Sequence, residues 1–382
     1  MLYLDNAATM PIVKESAEAA NYANSVLFLN PSALYAVEVN KHINDARATI
    51  AAALGVSPQE LYFTSGATEA NNLAILGGIK NKNLSFVTSS GEHASVFAVA
   101  SYLKGKGMQT QFAALQKDAS VDADAFIQLA ADNCGLASLI HASNETGVIH
   151  DIASIFKEVK KRNPRVLVHS DGVQAFLKTD VSLASMPIDM YSISGHKIGA
   201  PKGIGALYVR KGCAISSLIH GGGQEKGLRS GTENVSGILA FAAACKAFKQ
   251  QYKQVDYAAL RDLFCKTLLQ HVENCAEVQF YFNAQSTTSY LPHLLSMSIL
   301  GVPAEILQRI LMDKDGIIVG LGSACAASKR GNRVLEAAKK TKIEIAGNIR
   351  ISFGLDITVQ QVQEAAKKIA LRVRDFKGGQ IG

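Results

Sequence analysis

Lys197 closes the stretch "SISGHK", in which an apolar run delivers Ser194, His196 and the lysine together, ahead of the glycine-rich "IGAPKGIGALYVRKG". A lysine amine stripped of water beside other charges is a nucleophile for carbonyl carbon; on an open loop it is only a solvated cation. Asp171, in "VLVHSDGVQ", is also fed from an apolar run. A buried carboxylate is costly unless it meets a cation or a protonated nitrogen, or caps a helix, and Gln174 three residues on suits a capping box. His93 in "GEHAS" and Asn144 in "SNETG" each follow a strand-like run. A lone histidine in such a place serves structure as readily as chemistry. "TSGATEANN" puts Gly66, Ala67 and Thr68 at a strand-to-helix turn. There, free N–H groups and the helix dipole make an anion cradle, or Thr68 is simply a capping hydroxyl. The spacing is not that of a nucleotide P-loop or a dinucleotide fingerprint.

Taken together, an anion cradle, a flat histidine, a buried acid and a strand-end lysine match one cofactor, pyridoxal phosphate. The acid partners the pyridinium nitrogen, the lysine forms the Schiff base and the cradle holds the phosphate.

These groups need a scaffold that brings strand ends together. "LYFTSG" leads into "ATEANNLAILGGIK", "LSFVTSSGEH" into "ASVFAVASYLKGKG", and "LASLIHASNETG" into "IASIFKEVKKRN". Strands followed by helices at this spacing predict right-handed βαβ units and a mainly parallel sheet, with ligands bound past the strand ends. Near Val255 the pattern changes to a long helical segment, then strands "LLSMSIL" and "IRISFG", then a helical tail. That order predicts a smaller α+β domain.

Bulk composition narrows the class. The 382 residues are 48% hydrophobic and 19% charged, an ordinary globular balance and too long for one small core. The net charge of +7 is spread over helix-like faces such as "KEVKKRNPR", so no nucleic-acid stripe is expected. No run approaches the ~18 apolar residues of a membrane span, and "MLYLDNAATMP" has no basic n-region, so a cytoplasmic protein without membrane contact is expected. The six cysteines form no CxxC pair, which argues against a zinc ribbon or a thioredoxin-like motif, and no metal site is expected.

The chain resembles the cysteine desulfurases of the NifS/IscS kind, within the class V aminotransferase family. The resemblance rests on "YLDNAATMP", "NPS", "TSGATEANN", "EH", "NETG", "HSDGVQ", "SGHKIGAPKGIGALYVRKG", "GGGQEKGLRSGTENV", "GSAC" and "IRISFG", in family order over nearly the whole chain. It implies a fold type I pyridoxal-phosphate transferase: a large domain at 16–255 with a mainly parallel seven-stranded sheet, and a small α+β domain from 1–15 with 256–382. It implies that Lys197 holds the Schiff base, His93 stacks on the ring, Asp171 pairs with the ring nitrogen and Gln174 with the phenolic oxygen. Gly66, Ala67, Thr68, Ser194 and His196 would bind the phosphate end. Thr232 would reach the phosphate of the other subunit's cofactor, which requires a homodimer. Asn144 and Arg350 would hold the carboxylate of L-cysteine, and Asn144 would also border the cofactor.

Cys325, in "GLGSACAASKRGN", is by resemblance the thiolate that takes the substrate's sulfur as a persulfide and passes it to an acceptor or iron–sulfur scaffold protein. Alternatives are a selenocysteine lyase or another class V enzyme, and a scaffold that carries sulfur-trafficking proteins without turnover. Two departures stand out: Leu34 and Tyr35 follow "NPS" where the family usually has a histidine, and the segment after Cys325 is basic and lacks proline.

Overall fold

The computed structural model describes residues 1–272, 280–282, 289–321 and 332–377. The chain starts with β1 (Leu2–Leu4), α1 (Lys14–Val26), α2 (Val37–Leu54), β2 (Leu61–Thr64) and α3 (Ala67–Gly78). Then come β3 (Ser85–Ser89), α4 (Ala94–Gly105), β4 (Thr110–Ala113), α5 (Ala123–Ala131), β5 (Cys134–Ser138), α6 (Ile152–Arg162) and β6 (Leu167–Asp171). β7 (Met190–Ser194) and β8 (Gly205–Val209) precede the long α7 (Val235–Tyr252) and α8 (Tyr257–Gln270). The last third holds β9 (Phe280–Phe282), β10 (Leu294–Ile299), α9 (Ala304–Asp315), β11 (Ile317–Val319), α10 (Arg333–Ala337), α11 (Lys342–Ala346), β12 (Asn348–Ser352) and α12 (Val359–Lys377).

Seven strands form one sheet in the order β2-β8-β7-β6-β5-β3-β4. β7, β6, β5, β3 and β4 pair in parallel, whereas β8 is antiparallel to both its neighbours. The α/β architecture expected from the sequence is therefore present. Its strands are apolar on both faces, as a sheet covered by helices on each side requires. Within a strand, successive residues enter different cores: Phe86, Leu136, Met190 and Leu207 pack with α3 and α4, while Val87, Ala137, Tyr191 and Tyr208 pack with α2, α5, α6 and α7.

The C-terminal third builds its own core. β12, β10 and β9 form an antiparallel sheet. Leu295, Met297, Ile349 and Ile351 pack there against Phe264 of α8, Leu307 of α9 and Val362, Ile369 and Val373 of α12. Leu4 joins this cluster from the chain's beginning, because β1 pairs in parallel with β11. The first residues thus run from the small sheet to the rim of the large one, where Met10 N–H donates to His196 O at 3.0 Å.

Several imidazoles lie inside. Burial pushes His141 and His150 down to about 4 and His169 to about 3, from 6.5. Between those values the unfolded chain binds protons that the folded chain does not, so stability falls as pH drops from about 6.5 towards 4. Glu92 opposes them: burial pushes its carboxyl up to about 8, so it keeps its proton in the folded state where the unfolded chain has lost it. Three histidines outweigh one glutamate. The urea midpoint should fall between pH 6.5 and 4, and a midpoint that stays level or rises over that range would contradict the assignment.

Candidate active site

The carboxyl ends of β2, β3, β5, β6 and β7 open into one cleft of about 380 Å³. Gly66, Ala67 and Thr68 line it from beyond β2, and His93 from beyond β3. Asn144 follows β5, Asp171 and Gln174 come from the end of β6, and Ser194, His196 and Lys197 from β7. Ten of the residues singled out in the sequence therefore meet at the crevice where open α/β sheets bind ligands.

Lys197 lies in a single 3-10 turn after β7, and its Nζ donates to Ala7 O and Ala8 O, both at 2.7 Å. Burial, helped by the Arg350 guanidinium, pushes its ammonium down from 10.5 to about 8, although Asp5, Asp171 and Glu145 pull the other way. The neutral fraction of the amine at neutral pH is then about 300-fold larger than for an unperturbed lysine.

Asp171 is only 2% exposed. Its Oδ2 accepts from Asn71 Nδ2 at 2.7 Å and its Oδ1 from Val173 N–H at 3.1 Å. The capping-box alternative does not hold: no helix starts here, and Gln174 Nε2 donates instead to Ala7 O at 2.8 Å. Thr68 is not a cap either. The cap of α3 is Gly66, at φ 153°, which offers no side chain to the helix's first N–H groups. Glycine is needed twice over at this turn, since a Cβ on facing Gly205 would come within 2.7 Å of Gly66 Cα. The helix end stays open towards the cleft.

His93 does cap α4, its Nδ1 accepting from Ser95 N–H at 3.2 Å. A nitrogen that accepts this N–H has no room for a proton of its own, so the contact favours the Nε2–H tautomer. Ser95 Oγ lies 2.8 Å from the same Nδ1, and Asn71 Nδ2 donates to that Oγ at 2.8 Å. The helix cap and a cleft-lining side chain coincide in one residue.

Arg350 lies on β12, behind Asn144 and outside the cleft lining. Its Nη1 donates to Asn144 O and its Nη2 to Asp5 Oδ1, each at 2.7 Å, while the buried Nε has no partner among the described residues. A guanidinium with an N–H left without a partner among the described residues suits a carboxylate. Thr232 is exposed and does not line the cleft. Its segment is tied to the first turn of α3 through Arg229 Nε and Glu69 Oε1 at 2.9 Å. Cys325 lies outside the described residues. The described cysteines do not line the cleft; burial pushes Cys134, Cys213 and Cys265 up to about 11 and Cys245 higher still.

The family description "Aminotransferase class-V" matches residues 2–364. The chain belongs to that family. It is 34% identical to a cysteine desulfurase IscS of Dictyoglomus turgidum (strain DSM 6724 / Z-1310) over 94% of this chain and 91% of the relative. It is also 34% identical to a cysteine desulfurase IscS of Methanosarcina thermophila, over 98% and 93%. A solved NifS-like protein superposes with a TM-score of 0.88 at 31% identity, covering 98% of this chain and 99% of that one. A structure of SspA in complex with cysteine gives 0.79 at 31% identity, covering 92% and 99%.

The residues of this class V chain fit the family's pyridoxal phosphate. An uncapped helix end suits its phosphate, a buried acid without a paired cation among the described residues suits its ring nitrogen, and a lysine with a depressed pKa suits its aldehyde. Sequence reasoning missed Asn71, Ser95 and Asp5, the groups that hold these residues in place. Uptake of pyridoxal phosphate by cofactor-free protein should speed up with pH and level off above about 8, where the Lys197 amine is neutral. Lys197→Ala should show no visible absorption band; an unchanged band in that variant would remove Lys197 from its role.

Proposed function

We propose that this protein is a cysteine desulfurase that uses pyridoxal phosphate and converts L-cysteine to L-alanine, leaving the sulfur as a persulfide on Cys325. The observation that carries the proposal is the convergence of the Lys197 amine, the Asp171 carboxylate and the uncapped end of α3 on one cleft. The cofactor would supply an electron sink for the substrate's Cα. This chain's own groups do the rest. Asp171, held by Asn71 and Val173, would face the ring nitrogen, and Gln174 the phenolic oxygen. Thr68, Ser194 and His196 would hold the phosphate with the α3 N–H groups. His93 would lie on the ring with its proton on Nε2, the tautomer that Ser95 favours.

Arg350 would grip the substrate carboxylate beside Asn144, since Asp5 and Asn144 O already fix two corners of its guanidinium. The Cys325 thiolate would then attack the substrate's sulfur. The S–S bond forms as the Cβ–S bond breaks, and the electron pair left on Cβ takes up a proton to give alanine. The persulfide sulfur passes to an acceptor such as an iron–sulfur scaffold protein.

The proposal includes two units, 16–255 and 1–15 with 256–382, and a homodimer in which Thr232 reaches the partner's cofactor. Its support is the exposure of Thr232 away from its own cleft and of Phe28, Leu34, Tyr35 and Val37 along one stretch, from 73% to 99% exposed. Apolar groups gathered at that density on a surface mark an interaction face.

Cys325→Ser should bind cofactor and L-cysteine yet yield no sulfide or persulfide. Cys134→Ser, Cys213→Ser, Cys245→Ser and Cys265→Ser should keep the activity, because burial holds those thiols protonated near neutral pH. Sulfide release by the Cys325 variant at the wild-type rate would overturn the assignment. Arg350→Ala should weaken L-cysteine binding by about 2–5 kcal/mol with pyridoxal phosphate content unchanged, and an unaltered KM would move the carboxylate site elsewhere.

A further inference from the structure

Lys178 is a second buried lysine beside the cleft, and the chemistry above gives it no task. It is 8% exposed, and among the described residues no carboxylate pairs with it. Its Nζ donates to Gln174 Oε1 at 3.3 Å, one turn earlier in the chain, and lies 6.0 Å from the centroid of Phe248 on α7. The Lys197 ammonium and the His293 imidazole also face it, and burial with the Lys197 charge pushes its own ammonium down to about 7. A cation so placed is costly to retain.

The geometry points to Lys178 as a positioning residue for the cofactor, acting through the Gln174 side chain. An amide can face either way, and its two ends differ in chemistry. An ammonium only donates, so it can be met only by Oε1; a backbone carbonyl only accepts, so Ala7 O can be met only by Nε2. Gln174 lies between these two, with Oε1 towards Lys178 and Nε2 2.8 Å from Ala7 O. Among the described residues Nε2 makes that single hydrogen bond, which leaves its second N–H for the cleft that Gln174 lines. A donor is what an anionic phenolic oxygen needs, whereas a flipped amide would present a repelling oxygen. Ala7 O also accepts from Lys197 Nζ, so one carbonyl fixes both the reactive amine and the amide that Lys178 orients. This inference rests on the proposal that the cleft holds pyridoxal phosphate.

The test is a double-mutant cycle on the full chain, buffered about one pH unit below the value of about 7 to which Lys178 is pushed, so that it is mostly an ammonium. Wild type, Lys178→Met, Gln174→Ala and the double variant are compared for pyridoxal phosphate affinity and for the position of the visible band. Lys178→Met should weaken affinity about three- to tenfold, as for one lost hydrogen bond, and should displace the band. The same change made on Gln174→Ala should add nothing further, since a residue acting through Gln174 has no route left. Heat stability of the cofactor-free Lys178→Met protein should be equal or higher, because a buried unpaired charge has gone. Lys178→Leu, which keeps an apolar stem and has no donor, is the second variant and should show the same loss. Equal effects of Lys178→Met in both backgrounds, or no effect on affinity and band, would overturn the inference alone. A wild-type chain that takes up no pyridoxal phosphate would overturn the reading of the cleft and this inference with it.

Discussion

Two opposite charges share one cleft and must not neutralise each other. Lys197 and Asp171 come from the ends of adjacent strands, and a direct pair between them at 4 Å would gain about 4 kcal/mol at an effective dielectric near 20. That pair would fill the site with itself. Instead each is held by neutral partners: the lysine by two backbone carbonyls, the aspartate by an amide and a backbone N–H. The architecture around the cleft can be understood as the means of keeping them apart. The first ten residues supply the carbonyls, α3 supplies Asn71, and the turn after β6 supplies Val173.

The same logic extends to the third charge. Arg350 comes from β12 of the small sheet, yet its side chain is fixed by Asp5 and by the carbonyl of Asn144 beyond β5. It is therefore tied to the rim of the large sheet and to the N-terminal segment at once. A guanidinium held at both ends presents its other N–H groups in one fixed plane, which is the condition for selecting a planar carboxylate.

Much of this was legible from the sequence because strand ends announce themselves. Apolar runs stop at Thr64, Ser89, Ser138, Asp171 and Ser194, and the chemistry-bearing residues follow within a few positions. What was not legible is the set of groups that hold them. Asn71 meets Asp171 across 100 residues and Asp5 meets Arg350 across 345, separations over which no periodicity speaks. Local rules also offered two residues an alternative that the structure does not take. Thr68 and Gln174 have the types and spacing of helix caps, but Gly66 starts α3 and Gln174 turns to a carbonyl supplied by the far end of the chain. The opposite happened at His93, where a cap was available to the backbone and the imidazole serves as one.

The placing of the first residues has a consequence for how the molecule is made. Leu2–Leu4 pair with Ile317–Val319, and Asn6 Nδ2 donates to Ser352 O, 346 residues later. The segment whose carbonyls hold Lys197 thus leaves the ribosome long before its own strand partner. During synthesis the large sheet can assemble through its neighbouring βα units while this leading segment has nothing to pair with. Domains generally fold as units as they emerge, and contacts this distant in sequence form late because a long loop must close first. The nascent chain would therefore carry the seven-stranded sheet while Lys197 still lacks its fixed surroundings, and those surroundings would close only after translation has passed β12.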